Sequence, residues 1–464
     1  MLKPQIESAL RGVTQGEATS SGVGGLAPST SRPRPEPSVV GRVRIVTNLN
    51  ELEGQLASAS KSCAVIFFTS ATCPPCKILY PTYDELAEEA GDKAILIKCD
   101  VSSAYDISMK YGIRATPTFM SFLKGEKLEE WSGADRAKLQ GNVRLLIQMA
   151  HPPHPHQQLR LPTLQRKIPR YVTYKNMPPL DKLVPKLGNI GNDPRLTTML
   201  DFIKKTGSRC SSGSTNANGN VNAAEAALPT DPGLREFSQY VRSTMSQDHL
   251  SDDSRFALVD LVRVLFIDPR VGGYFAESEQ SNNHEMLLML LGNADNEAVT
   301  PAYKLRLVRL QLACNLFTSP LSAEQAVSHS TLRETCTQLI TSNILDTEHS
   351  TLRVVAAALA FNIAVYNHNH GRQGTSTPDA LPEETQVELT ASLTEAIWRE
   401  ESSAETLHAA VFALGLLVYE APMDGAVVDL CSAMDAVGAV NAKTKVSDFK
   451  GERELLREVG QLLS

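Results

Sequence analysis

The sequence predicts an α/β module followed by an all-α array of stacked helices, and three observations predict it. A Cys-x-x-Cys pair, Cys73 and Cys76, stands between an apolar run (64-AVIFF-68) and a helical pattern. Strand-like and helix-like segments alternate over residues 39–150. From residue 171 to 464 the pattern is helical nearly throughout, and it repeats.

The elements follow in chain order. Residues 13–38 are rich in Gly, Ser, Thr and Pro, so 1–38 reads as a flexible leader. In the α/β module, strands are expected at 43–46, 64–68, 94–98 and 118–123, with helices near 49–60, 76–90, 103–111 and 135–149. A helix opening at the second cysteine places partial positive charge and free N–H groups beside the thiols, both of which stabilise a thiolate. Residues 151–170 are rich in Pro and His and read as a linker between domains. His151, His154 and His156 are close in sequence, but interleaved prolines and the lack of nearby acidic or cysteine ligands favour an exposed linker over a metal site. Residues 207–233 and 367–384 read as disordered loops inside the helical region 171–464.

The helical region repeats itself. Leu305, Arg306, Val308, Leu312, Ala313 and Asn315 coincide with Leu352, Arg353, Val355, Leu359, Ala360 and Asn362, 47 residues further on. A fainter copy starts at Leu407, with His408 in the arginine slot and no asparagine. A helical period in the mid-forties predicts an armadillo/HEAT-like solenoid, whose units bury their faces only by stacking. Two readings fit the recurring asparagines: hydrogen bonding to a neighbouring loop, or lining a concave groove that clamps a peptide backbone. Lys304, Arg306, Arg309 and Arg353 flank the same faces, either as solvated helix flanks or as a basic groove for carboxylates. The basic stretch 160–186 would extend such a groove or serve as a soluble linker.

Composition excludes several classes. A net charge of −7 argues against a general nucleic-acid binder. Eight scattered cysteines do not make a secreted disulfide scaffold, so a reducing compartment, cytoplasm or nucleus, is expected. Residues 1–12 lack the apolar core of a signal peptide, and apolar runs such as 409–419 fall short of the roughly 18 residues of a membrane span. P-loop, Ser-His-Asp, H-E-x-x-H and EF-hand patterns do not occur. Cys63 and Cys99 adjoin apolar strands and read as inert buried thiols; Cys314, Cys336 and Cys431 read as helical core residues, and Cys210 as a loop residue.

Residues 40–150 resemble thioredoxin. The resemblance is carried by 72-TCPPCK-77, by Pro81 at the kink position of the following helix, by 110-KYGIRATPTF-119, and by 122-FLKGEK-127 with 131-WSGA-134. It implies that Cys73 is the exposed nucleophile and Cys76 the resolving cysteine. It also implies that a cis-proline, Pro117 after Thr116, holds backbone beside the pair for an extended substrate. No cofactor is implied beyond the redox-active Cys73–Cys76 disulfide. The chain departs from the family at Thr72, where a Trp is usual, and at Phe67, where many members carry a buried acid. Lys98 stands at the position of that acid's usual partner, and two central prolines remove two amide donors. The module therefore reads either as a working reductase or as a binding module with residual thiol reactivity.

Residues 171–464 resemble the PUL domain, an armadillo-like module of ubiquitin-linked proteins, through 171-YVTYKNMPPLDKLVPKLG-188, 256-FALVDLVRVLFIDP-269, 303-YKLRLVRLQLACNLF-317 and 351-TLRVVAAALAFNIAVY-366. This resemblance implies binding of the acidic, aromatic-containing tail of a valosin-containing-protein-type AAA ATPase. The expected partner-binding residues are Lys304, Arg306, Arg309, Asn315, Arg353 and Asn362. The two modules in this order resemble a fungal arrangement that often carries a PPPDE-type peptidase in front. The chain starts too late to hold that domain, and no peptidase activity is expected. The expectation is an adaptor of the ubiquitin system, with client disulfides as possible thiol partners. The alternative is a thioredoxin-type oxidoreductase with an architectural helical half.

Overall fold

The computed structural model describes residues 41–210, 228–247, 249–280, 284–292, 301–371 and 381–464. The expected leader 1–38 and most of the two expected loops lie outside the described residues. The described chain divides into two compact units, one ending at Gln158 and the next running from Leu159 to Ser464.

The first unit is a five-stranded sheet between two pairs of helices. Its strands are β1 (Arg44–Val46), β2 (Cys63–Thr69), β3 (Ala94–Asp100), β4 (Thr118–Leu123) and β5 (Glu126–Ser132), in the order β1-β3-β2-β4-β5. β1 and β2 pair parallel with β3, and β4 pairs antiparallel with β2 and β5. The central strand β2 is buried along its whole length, which is why its sequence is apolar from Cys63 to Phe68 rather than alternating. Cys63, Val65 and Phe67 face a core with helices α2 (Pro74–Ala90) and α4 (Arg136–Ala150). Ala64, Ile66 and Phe68 face the other core, with α1 (Leu49–Ser58) and α3 (Tyr105–Tyr111). Helix α2 opens at Pro74, two residues before the expected start. Cys73 is its N-cap, and a proline ring presets the backbone angle of a first helical turn.

A short helix α5 (Pro155–Gln158) lies in the stretch expected as a linker. His156 is buried rather than exposed, and its ring meets that of His154 edge-on at 4.4 Å. The His151 ring nitrogen Nε2 lies 2.7 Å from the Lys93 carbonyl oxygen. From Leu159 the expectation of a linker fails. Leu161, Leu164, Ile168 and Val172 are buried in the core of the second unit, because this apolar spacing gives an extended strap something to bury.

The second unit is a helical solenoid. Its first helices are α6 (Leu180–Leu187), α7 (Pro194–Cys210), α8 (Asp231–Met245), α9 (Asp252–Leu265), α10 (Pro269–Ser278) and α11 (Glu285–Leu291). They are followed by α12 (Tyr303–Asn315), α13 (Pro320–Ser328), α14 (Ser330–Thr341), α15 (Ser350–Gly371), α16 (Glu383–Arg399) and α17 (Ala404–Val418). The last three are α18 (Ala426–Ala433), α19 (Ala436–Thr444) and α20 (Arg453–Leu463). Helices α9, α12, α15 and α17 pack in series as the inner row, and the three sequence repeats fall on α12, α15 and α17. Helix α15 is 22 residues long and apolar enough by composition to cross a membrane, yet it is mostly buried within the stack. A helix apolar all round is the signature of a central one. Helices α7 and α15 also overrun the segments expected as loops, to Cys210 and Gly371. His368 and Asn369 are buried at the end of α15.

Candidate functional site

In the first unit, Cys73 and Cys76 form a disulfide with a Cα–Cα distance of 5.4 Å. The spacing follows from the helix start, which puts residues three apart on adjoining faces of one turn. Pro74 and Pro75 offer no N–H, so the first amide able to reach Cys73 is that of Cys76, and it donates to the Cys73 sulfur at 3.3 Å. The Thr116–Pro117 peptide bond is cis, and the Thr116 carbonyl oxygen stands 3.5 Å from the same sulfur. Thus Cys73, Cys76, Thr116 and Pro117 come together in one site. Cys73, expected to be exposed, keeps 8% of its surface, and Cys76 keeps none.

Beneath the pair lies an aromatic cluster. Phe67 stacks on Phe119 at 4.6 Å between ring centres, and Phe119 stacks on Trp131 at 5.4 Å. Tyr83 and Tyr80 meet Phe67 edge-on at 5.2 and 5.8 Å. Burial pushes the Tyr83 phenol well above its ordinary value, and its hydroxyl sits 2.7 Å from the Val65 carbonyl and 2.9 Å from that of Ile97. Lys98, deprived of a carboxylate, places its ammonium 4.6 Å above the Tyr80 ring, a cation–π contact that sequence reading did not anticipate. Burial pushes the Cys63 thiol up to about 11 and the Cys99 thiol up to about 12, as suits inert core cysteines.

In the second unit the expected groove residues are placed, and most are already engaged. The Val172 N–H donates to Asn362 Oδ1, and Asn362 Nδ2 donates to the Val172 carbonyl, both at 2.8 Å. Asn315 holds Tyr174 the same way, at 2.7 and 3.1 Å. Asn369 holds Ile168, at 3.0 and 2.7 Å. The asparagines do clamp an extended backbone, but it is the chain's own strap. Glu458 accepts the amides of Thr163 and Leu164, and Arg263 donates to the carbonyls of Tyr174 and Asn176. The strap therefore runs back along the solenoid, from its last helix to its early ones. Asn369 was missed because it has no counterpart in the shorter α12. The signal available was its place seven residues, two turns, after Asn362.

The arginines are not an open cationic groove. Arg306 pairs with Asp346 at 2.9 Å and Arg353 with Glu400 at 2.8 Å, while His408 bonds Glu452 in the same repeat slot. Each base is thus answered by an acid from further along the chain. Burial alone would raise the Asp346 carboxyl, but the His349 amide and Arg306 outweigh it and hold it below the usual range. Glu400 is likewise lowered: burial opposes, while Arg353 and the Ser403 and Ser402 amides prevail. Arg309 is buried against Gly292, where φ is +82° and a Cβ would come within 2.6 Å of the guanidinium carbon. Of the expected cations, Lys304 alone is exposed.

An open surface does adjoin the strap. A groove of about 590 Å³ is lined by Tyr171, Phe317, Tyr366 and Ile267, with Arg170 and Lys175 of the strap at its edge and one acid, Glu324. Burial pushes the Tyr171 phenol up to about 12. Such a surface offers apolar and aromatic contact together with positive charge.

The comparisons with known proteins divide the chain as the geometry does. A family model described as PUL domain matches residues 168–462, and one described as Thioredoxin matches residues 43–144. Thioredoxin of Gallus gallus is 32% identical over 105 residues, spanning 23% of this chain and 99% of that protein. Thioredoxin H4 of Arabidopsis thaliana is 33% identical over 87 residues, spanning 19% of this chain and 73% of its own. The crystal structure of Schistosoma mansoni thioredoxin is 30% identical and covers 23% of this chain and 95% of its own, with a TM-score of 0.22.

Proposed function

The chain belongs to the PUL-domain family over residues 168–462 and to the thioredoxin family over 43–144, and from that premise we propose that it is an adaptor of the ubiquitin system. The PUL unit binds a protein partner, the acidic, aromatic-containing tail of a valosin-containing-protein-type AAA ATPase. The thioredoxin unit exchanges thiols with clients of that machinery through Cys73, with Cys76 resolving and Thr116 and Pro117 positioning the client backbone. The compartment that goes with this reading is the cytoplasm or nucleus.

One observation carries the partner reading: the groove beside the strap combines Tyr171, Phe317 and Tyr366 with Arg170 and Lys175. An acidic peptide with an aromatic side chain is complementary to it in both charge and shape class. The recurring arginines are spent on internal ion pairs, whereas Arg170 and Lys175 line the groove itself. The test is fluorescence anisotropy of a labelled tail peptide titrated with the whole chain. Wild type is expected to bind, more weakly as salt rises, and Arg170→Glu/Lys175→Glu to weaken binding at least about tenfold. No binding by wild type removes the partner; undiminished binding by the double variant removes the groove.

A second reading, a thioredoxin-type oxidoreductase with an architectural helical half, is favoured by the assembled disulfide with its Cys76 amide donor. Insulin-disulfide reduction abolished in Cys73→Ser supports exchange at this site, and equal rates in wild type and variant remove it.

A further inference from the structure

The two sulfurs of the Cys73–Cys76 pair sit in opposed surroundings. Cys73 stands at the helix start, receives the Cys76 amide, and has exposed Thr72, Pro74 and Pro75 as neighbours. Helix N-terminus and amide both stabilise a thiolate there. Cys76 is fully buried in the apolar cluster of Phe67, Leu79, Tyr83 and Phe119. Among the described residues, the one donor to either sulfur is the Cys76 amide, and it serves Cys73; the Thr116 carbonyl oxygen, an acceptor, stands 3.5 Å from that same sulfur. Cys63 shows what this cluster does to a thiol: it lines the same core, and burial drives it up to about 11.

The exchange steps use the two sulfurs differently. The site is first reduced by a dithiol. The Cys73 thiolate then attacks a client disulfide: a bond forms from Cys73 to one client sulfur, the client disulfide breaks, and its other sulfur leaves as thiolate and takes a proton from water. Release requires Cys76 to give its proton to water or hydroxide and attack Cys73. The Cys73–Cys76 bond then forms, the bond to the client breaks, and the client leaves as thiolate. The first step draws on the well-served sulfur. The second demands charge on a sulfur walled by aromatic rings.

Resting on the reading of Cys73 as the exchanging thiol, we propose that the thioredoxin unit is a covalent clamp: it captures a client cysteine rapidly at Cys73 and releases it slowly through Cys76. Phe67 is the positioning residue: it lines the same buried apolar cluster as Cys76 and brings a ring, not a polar group, to it. A long-lived mixed disulfide suits an adaptor, which must hold its client while a partner acts.

The probe is a short dansylated peptide whose single cysteine is a mixed disulfide with thionitrobenzoate, added to the reduced, desalted full chain. Thionitrobenzoate release reports capture, and intact mass reports the peptide adduct on Cys73. Capture is expected to be fast and to change little with pH. Adduct decay is expected to be slow near pH 7 and to accelerate about tenfold per pH unit toward about pH 9, as the buried thiol ionises. Phe67→Asp is expected to speed decay at neutral pH at least about tenfold, by giving Cys76 a local proton acceptor. If that variant does not fold, the wild-type pH series decides alone. An adduct that decays quickly at pH 7 with a flat pH profile overturns the clamp but leaves exchange intact. Capture no greater than in Cys73→Ser overturns the exchange reading itself, and the clamp with it.

Discussion

A single asparagine can do the work of a turn of helix. Asn362 is wholly buried in an otherwise apolar face and satisfies both the N–H and the carbonyl of Val172. Replacing it with leucine preserves bulk but leaves two buried backbone groups without partners, each worth about 1–3 kcal/mol. Asn362→Leu is therefore expected to destabilise the helical unit by roughly 2–5 kcal/mol, read as a shift in its urea midpoint. Its loss should also deprotect the Val172 amide in hydrogen exchange. Asn315 and Asn362 were legible in sequence because they recur at one repeat position. Their ligand was not, since the segment they hold was expected as a basic stretch, groove extension or soluble linker, and nothing in 159–176 announces a long-range partner. At the redox site Cys73 and Cys76 were legible from local spacing, and Pro117 from the thioredoxin resemblance. The Lys98–Tyr80 contact was not, because it joins a strand and a helix whose approach only the fold determines.

At the scale of helices, the repeat writes a base on one helix and an acid one or two helices further along the chain. Arg353 and Glu400 are both largely removed from water, and Glu400 also accepts from the Ser402 and Ser403 amides. Removing only the guanidinium strands a buried carboxylate, which costs about 3–5 kcal/mol. Arg353→Met should show that loss in urea unfolding. Adding Glu400→Gln should recover part of it, because the amide oxygen still accepts from both serine amides while the charge is gone. Equal stability of single variant and wild type would contradict a supporting role for the pair. The inner helices were legible from periodicity, and the bases from their recurrence. The acids Asp346, Glu400 and Glu452 escaped notice because they lie outside the aligned blocks, in helix termini and loops.

For the whole molecule, the two units differ in where charge is buried. The ion pairs of the thioredoxin unit, such as Lys127–Glu130 and Arg144–Glu89, are half-exposed and worth little. The PUL unit has exposed pairs too, such as Arg235–Asp231, but adds mostly buried ones: Arg306–Asp346, Arg353–Glu400 and Arg242–Glu279. Asp346 and Glu400 are held below their unfolded values, so their contribution is fully present above about pH 5 and is lost as pH falls through the depressed values. Acidification from about pH 7 to about pH 4 should thus lower the melting point of the PUL unit more than that of the thioredoxin unit. The sequence has two tryptophans, and they fall one to each unit: Trp131 in β5 and Trp398 in α16. Fluorescence melts of Trp398→Phe and Trp131→Phe separate the two transitions. Equal acid shifts would contradict the assignment.

The strap's path also dictates a timetable for synthesis. Asn176 finds Arg263 only 87 residues later, while Thr163 must await Glu458, 295 residues later. At about 5–20 residues per second on the ribosome, the first contact becomes available after roughly 4–17 s and the last after roughly 15–60 s. The strap is made before every helix that grips it, so a nascent chain zips it down backwards, from Asn176 toward Thr163. Until Glu458 is made, its greasy leading end has no home and is a natural client for holding chaperones.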